Sequence, residues 1–223
     1  MRKPFLPLLT ALAVTGAFGG TAWAGGASDV ALGQKEAREI NLTARDMPGW
    51  QSSPDGDTPQ SKADARQLAL CAGAPDPAKV IVTHINSPSF DKGNLFVNSS
   101  VALVATKAAA TGTLAAMRGN KIDECLQKEL PTLEKQVAPA RVVKLGVTDH
   151  LHASWLPSSG FGYRLEVVIK QGKVTATAYT DAYGFMIGRT QVELSVTYQG
   201  GADTALETQL GKLLVKRADK FAH

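Results

Sequence analysis

His150 and His152 stand two residues apart in a run that reads as a strand, a spacing that puts both imidazoles on one face, as two metal ligands would need. Asp149 points to the other face and no third ligand is near, so the pair reads as surface or packing residues and no metal is expected. His84 is isolated, and His223 ends the sequence. A serine nucleophile would need a Gly-x-Ser-x-Gly elbow, whereas Ser158-Ser159-Gly160-Phe161-Gly162 offers a turn. Asp181 and Glu193 fall on neighbouring predicted strands and could pair as an acid and a base, but nothing in the sequence sets their separation. Gly160, Gly162, Gly172 and Gly188 sit at turns without the helix that follows a phosphate-cradling loop. The chemistry expected of the chain is therefore binding, with no catalytic residues and no cofactor; a hydrolase built from the Ser158-Ser159 turn with His84 or His150 is the weakest reading.

The aromatic residues carry more. Trp50, Trp155, Phe161, Tyr163, Tyr179, Tyr183 and Phe185 gather around the predicted strands, and most are expected in the core. Tyr179, Asp181 and Tyr183 alternate along one strand, and a wetter sheet face shared with Arg164, Glu166, Gln191 and Glu193 would form a shallow groove with apolar walls and a few charges. Arg164, Tyr179, Asp181, Tyr183 and Trp155 are the candidate ligand-binding residues. Cys71 and Cys125 are the only cysteines, each in a predicted helix, and without a Cys-x-x-Cys pair they read as a structural disulfide between helices. Closing a loop of about 55 residues stabilises a fold by roughly 4 kcal/mol in the chain-entropy description.

The elements that position these residues can be read along the chain. Arg2 and Lys3, the apolar run Phe5 to Phe18 and the small-residue site Ala22-Trp23-Ala24 have the form of a secretory signal peptide over residues 1–24, cleaved near Ala24. Residues 25–38 read as a flexible mature N-terminus, and residues 39–223 as one α+β domain, with a short strand at Glu39 to Thr43 and a loop over Gln51 to Lys62. A helix through Ala72 is followed by strands at Val80 to His84 and Asn94 to Val104, then an Ala-rich helix from Lys107 to Met117. A second helix segment carries Ile122, Cys125, Leu126 and Glu129 and is expected to break at Pro131.

The last third has the strongest pattern. After a strand from Arg141 to Trp155, Phe161, Tyr163, Leu165, Val167 and Ile169 alternate strictly with more polar neighbours. Turns at Gln171-Gly172-Lys173 and Gly188-Arg189 separate two further strands, Val174 to Ile187 and Thr190 to Tyr198. The expected result is an antiparallel meander with one dry face, packed against helices. Asp203 caps a final helix whose apolar stripe, Leu206, Leu210, Leu213 and Leu214, is expected to cover that dry face.

Composition narrows the function classes. The formal charge of +4 falls to +2 without Arg2 and Lys3, and acids and bases are interspersed, so nucleic acid is not an expected partner. Nothing after the leader approaches the ~20 apolar residues of a membrane span. The chain is expected outside the cell or in a periplasm.

Asp46-Met47-Pro48-Gly49-Trp50, the helix ending in Leu70-Cys71, the strand at Val97 to Val104 leading into the Lys107 to Met117 helix, Glu124-Cys125-Leu126, and Gly188-Arg189 before the last strand and helix form a spacing pattern over Ile40 to Phe221. In that pattern the chain resembles the exported sensor-type domains of actinobacteria, namely the extracellular domains of PknH-like receptor kinases and their secreted or lipoprotein relatives. The resemblance implies an antiparallel sheet against helices, a central groove and a sensing or ligand-binding role. Those domains typically carry a second disulfide; this chain has cysteines for one, and its 223 residues include no kinase domain. The reading taken forward is an exported, non-enzymatic sensor-like domain that binds a small or lipid-like molecule or an envelope component, with a structural or protein-interaction module of the envelope as the alternative.

Overall fold

In the computed structural model, residues 27–54, 59–136 and 138–221 are described; the leader and cleavage site expected from the sequence lie outside them. An eight-stranded antiparallel sheet forms the middle layer. Its strands are β1 (Gln51–Ser53), β2 (Ile81–Asn86), β3 (Ser89–Lys92), β4 (Leu95–Val104), β5 (Arg141–His150), β6 (Phe161–Gln171), β7 (Val174–Ile187) and β8 (Thr190–Tyr198). They run in the order β1-β3-β4-β8-β7-β6-β5, and β2 also pairs with β4. The helices are α1 (Ala27–Ile40), α2 (Pro59–Ala72), α3 (Pro77–Val80), α4 (Lys107–Arg118), α5 (Lys121–Gln136) and α6 (Thr204–Ala218). The fold is α+β, with helices on both faces of the sheet.

The meander arises from tight turns. Gly172 and Gly188 take φ of +58° and +62°, the left-handed conformation that two-residue hairpins require. Gln171 therefore pairs with Val174 and Ile187 with Thr190, which carries the register outward to Tyr163–Ala182 and Ala182–Ser195. This register corrects the expectation of a single dry face. The apolar stripe of β6, with Tyr163, Leu165 and Val167, shares a face with Ser195 of β8, while the apolar stripe of β8, with Val192, Leu194 and Val196, lies on the opposite face. Each face needs its own cover.

One face, with Val97, Val101, Phe185, Val192, Leu194 and Val196, packs against Leu210 and Leu214 of α6 and Ala37 and Ile40 of α1. The other, with Leu165, Val167 and Ile169, packs against Leu68 and Ala69 of α2, Met117 of α4, and Ile122 and Leu126 of α5. Asp203 caps α6 as expected, its side chain accepting from the Leu206 amide at 3.0 Å. Thr106 caps α4 in the same way through the Ala109 amide.

The N-terminal stretch departs from expectation. Residues from Ala27 form α1 where a flexible segment was expected, and α1 extends through Ile40 where a strand was expected. Gly33, Ala37 and Ile40 make a small, buried helical stripe, and a Cβ on Gly33 would come within 2.8 Å of Leu103 and 2.9 Å of Thr83. Close approach to β2 and β4 orders a segment whose small residues alone would not hold a helix. Pro131 does not end α5, which continues to Gln136. Packing on α2 and β5 supports it from both sides: the Asp123 carboxylate accepts from the Val147 amide at 3.0 Å, and the Gln127 amide donates to the Leu145 carbonyl. The expected strand to Trp155 stops at His150.

Candidate ligand-binding site

The five residues nominated from sequence do meet, but beneath α6. Arg164 on β6 donates from Nε and Nη2 to the two carboxylate oxygens of Asp181 on β7, both at 2.7 Å. Asp181 is fully buried, and the Tyr198 hydroxyl also donates to it at 3.3 Å. Tyr183 donates to Oε2 of Glu207 on α6 at 2.8 Å. Trp155 stands edge-on to Tyr183 with ring centroids 5.0 Å apart, in space kept free by Gly211 of α6, where a Cβ would come within 2.4 Å of the indole. Tyr179 stacks on Tyr198 at 5.7 Å. The groove expected over Arg164, Tyr179, Asp181, Tyr183 and Trp155 is thus occupied by α6 and by the indole itself. The physical reason is the register: the face that reads as wetter on β7 is the dry face of β8, and the last helix closes over it.

The electrostatics of this cluster follow from burial. The Asp181 hydrogen bonds hold the Arg164 guanidinium above its ordinary range. Burial pushes the Tyr183 and Tyr198 phenols up, and neighbouring carboxylates add to it. Burial, with the nearby Asp181 charge adding to it, raises Glu207 to about 7. The arrangement joins α6 to the sheet.

Gln191 and Glu193, expected on this same face, lie on the other one. Asp181 and Glu193 are therefore separated by the sheet and do not form a carboxylate pair. Glu193 faces an internal cavity of about 30 Å³ between the sheet and helices α2, α4 and α5, lined by apolar Leu68, Met117, Ile122, Leu126 and Phe161 and by polar Ser100, Tyr163, Glu193 and Ser195. That volume admits one or two water-sized groups. Gly184, opposite both Phe161 and Glu193, leaves room for the Phe161 ring, which a Cβ there would meet at 2.3 Å.

The polar lining is only partly satisfied. Glu193 accepts from the Gln191 amide at 2.8 Å and from the Ser100 hydroxyl at 3.2 Å, both neutral donors. Burial raises its carboxyl to about 7 against the pull of those two bonds. Tyr163 and Ser195 are 4% and 5% exposed, and neither hydroxyl has a hydrogen-bond partner among the described residues. Burial pushes the Tyr163 phenol up to about 12, so it stays protonated. Along the same strip, Asn98 Oδ1 and Gln191 Oε1 are also buried without a partner. Unpaired buried groups are costly, and the cavity beside these leaves room for a water-sized polar group to meet them.

Cys71 and Cys125 form the expected disulfide, with their Cα atoms 5.8 Å apart, and join α2 to α5 over this cavity. His150 lies edge-on to Tyr163 at 5.4 Å, and His152 falls beyond the end of β5, so the two do not share a strand face. The Ser159 hydroxyl donates to the Met186 carbonyl at 3.1 Å, and Arg118 holds the Ser158 and Gly160 carbonyls, which ties down the turn once considered for a nucleophile. Among the described residues no group of three or more His, Cys, Asp or Glu side chains is placed to hold a metal ion.

The cavity residues escaped a reading based on stripes alone, since Tyr163 reads as core and Glu193 as solvent-facing. The signal lay in the turns. Counting outward from two-residue loops at Gly172-Lys173 and Gly188-Arg189 places Tyr163, Ala182 and Ser195 side by side, and puts the polar side of a central strand beneath the helices.

No family model matches the chain, and no curated protein matches it. Among solved structures, the extracellular domain of PknH from Mycobacterium tuberculosis is similar over 83% of this chain and 94% of that chain, at 10% identity and a TM-score of 0.39. This is a distant structural likeness, and no property of that protein is carried over from it.

Proposed function

We propose that this chain is an exported, non-enzymatic binding domain that holds a small molecule between its sheet and the disulfide-joined helices α2 and α5. The observation that carries the reading is the buried polar strip: Tyr163 and Ser195 line the cavity with unpartnered hydroxyls beside Glu193, under walls of Leu68, Met117, Ile122 and Leu126. A very small ligand with a hydrogen-bonding head and a methyl-sized apolar end satisfies both halves of that lining. The Cys71–Cys125 bond, which belongs to oxidising compartments, supports an exported location together with the leader-like first 24 residues.

The test is native mass spectrometry of the protein purified from its own culture, followed by solvent extraction. The expected result is one small molecule per chain, released on unfolding. Recovery of bare polypeptide from every gentle preparation would contradict a resident ligand and favour a protein-interaction role.

A further inference from the structure

The geometry points to a protonated amine as the head group this cavity takes, with Glu193 receiving its charge and the Tyr163 and Ser195 hydroxyls its remaining donors. This rests on the cavity being the ligand site, and it follows from matching donors to acceptors. Glu193 accepts only from Gln191 and Ser100, and no basic side chain pairs with it among the described residues. An ionised carboxylate has about four lone-pair sites, so capacity remains beside two hydroxyls that each lack any partner. An alkylammonium brings three donors, no acceptor and the opposite charge, and its head is close to water in size. It fits a cavity of about 30 Å³.

Other head groups fit less well. An alcohol supplies one donor and leaves the carboxylate without a counter-charge, while a carboxylate head would place two anions together away from water. A single methyl group on the nitrogen would lie against Leu68, Met117 and Leu126.

Charged and titratable groups from the surrounding elements do not compete. Tyr163 of β6 stays neutral, β4 contributes Ser99 and Ser100, β7 contributes Ala182 and Tyr183, whose hydroxyl is engaged by Glu207, and α2 and α4 contribute Leu68 and Met117. On α5, Glu129 lies one turn beyond Leu126 and outside the lining, where burial and Asp64 raise its carboxyl. Arg118, whose charge reaches Tyr163, is engaged by the carbonyls of Ser158 and Gly160. When the amine enters, the protonated form of Glu193 gives its proton to solvent and a neutral ion pair remains in the cavity.

The experiment is isothermal titration of the disulfide-intact protein with methylammonium, methanol and formate, probes that match a cavity of about 30 Å³, at pH 6 and pH 8. Methylammonium is expected to bind at least about tenfold more tightly than methanol, because only it meets the carboxylate with charge. Its affinity should rise about tenfold from pH 6 to pH 8 as the ionised fraction of Glu193 grows, with a proton released to buffer. Glu193→Gln should remove both the preference for the amine and its pH dependence. The comparison of probes on the unaltered protein stands even if that variant does not fold. Equal or tighter binding of methanol or formate would overturn the amine assignment and leave the cavity reading intact. Absence of binding by all three at both pH values would overturn both.

Discussion

Under the proposed function, Tyr163 and Ser195 are binding residues, and that role separates them from packing residues in a measurable way. A buried hydroxyl without a partner costs about 1–3 kcal/mol relative to one that is satisfied. Removing it should therefore stabilise the empty protein if its purpose is to meet a ligand. We expect Tyr163→Phe to leave the melting temperature unchanged or raise it by a few degrees while weakening ligand binding about tenfold or more, measured by thermal melts and titration side by side. Arg164 and Asp181 should behave in the opposite way. Their two-pronged pair lies under α6, so Asp181→Ala leaves the guanidinium without its partner and should cost roughly 3 kcal/mol, measured by urea unfolding. Titration adds a third test at this scale. Glu193 and Glu207 both hold their protons up to about 7 in the folded protein, above the ordinary 4.5. Their contribution is present in full below pH 4.5 and is lost as pH rises through 7, so the protein should melt at a higher temperature at pH 5 than at pH 8. Glu207→Gln should flatten that slope, and an unchanged slope would show that Glu207 does not titrate in this window.

At the scale of elements, the strands of the meander and the cap at Asp203 were legible, because each rests on local chemistry of period or cap. The faces were not. Which stripe of β6 joins which stripe of β8 depends on register, and a one-residue difference moves every side chain to the other face. Helix α1 was hidden for a different reason, since Gly33 and Ala37 bury by closeness to Leu103 and Thr83 and carry little hydrophobic signal of their own. Pro131 misled because contacts to α2 and β5 outweigh a local break. The disulfide was legible from compartment and cysteine number, and it acts between elements: Cys71→Ser with Cys125→Ser should cost about 4 kcal/mol by urea unfolding and loosen α2 from α5. Unchanged unfolding under reducing and non-reducing conditions would contradict that role. The candidate site was half legible. All five nominated residues do cluster, yet they join α6 to the sheet, whereas the cavity residues lie one face away.

For the whole molecule, two helical layers cover one twisted antiparallel sheet, and they differ in kind. The layer of α1 and α6 packs over a cluster in which Arg164 pairs with Asp181 and Tyr183 donates to Glu207, whose second carboxylate oxygen alone has no partner among the described residues. The layer of α2, α4 and α5 packs over a strip in which the Tyr163 and Ser195 hydroxyls and the Asn98 and Gln191 amide oxygens have no partner among the described residues, and a disulfide holds two of its helices together. The proposed binding function belongs to the second layer, and its stability cost should be visible against the first. The measurement that tests this most directly is ligand occupancy by native mass spectrometry of Ser195→Val beside the unaltered protein, both taken through the same thermal melt. The account predicts a variant at least as stable as the parent that has lost its bound molecule. A destabilised variant that retains full occupancy would contradict it, and would make the strip beneath α2 and α5 part of the framework.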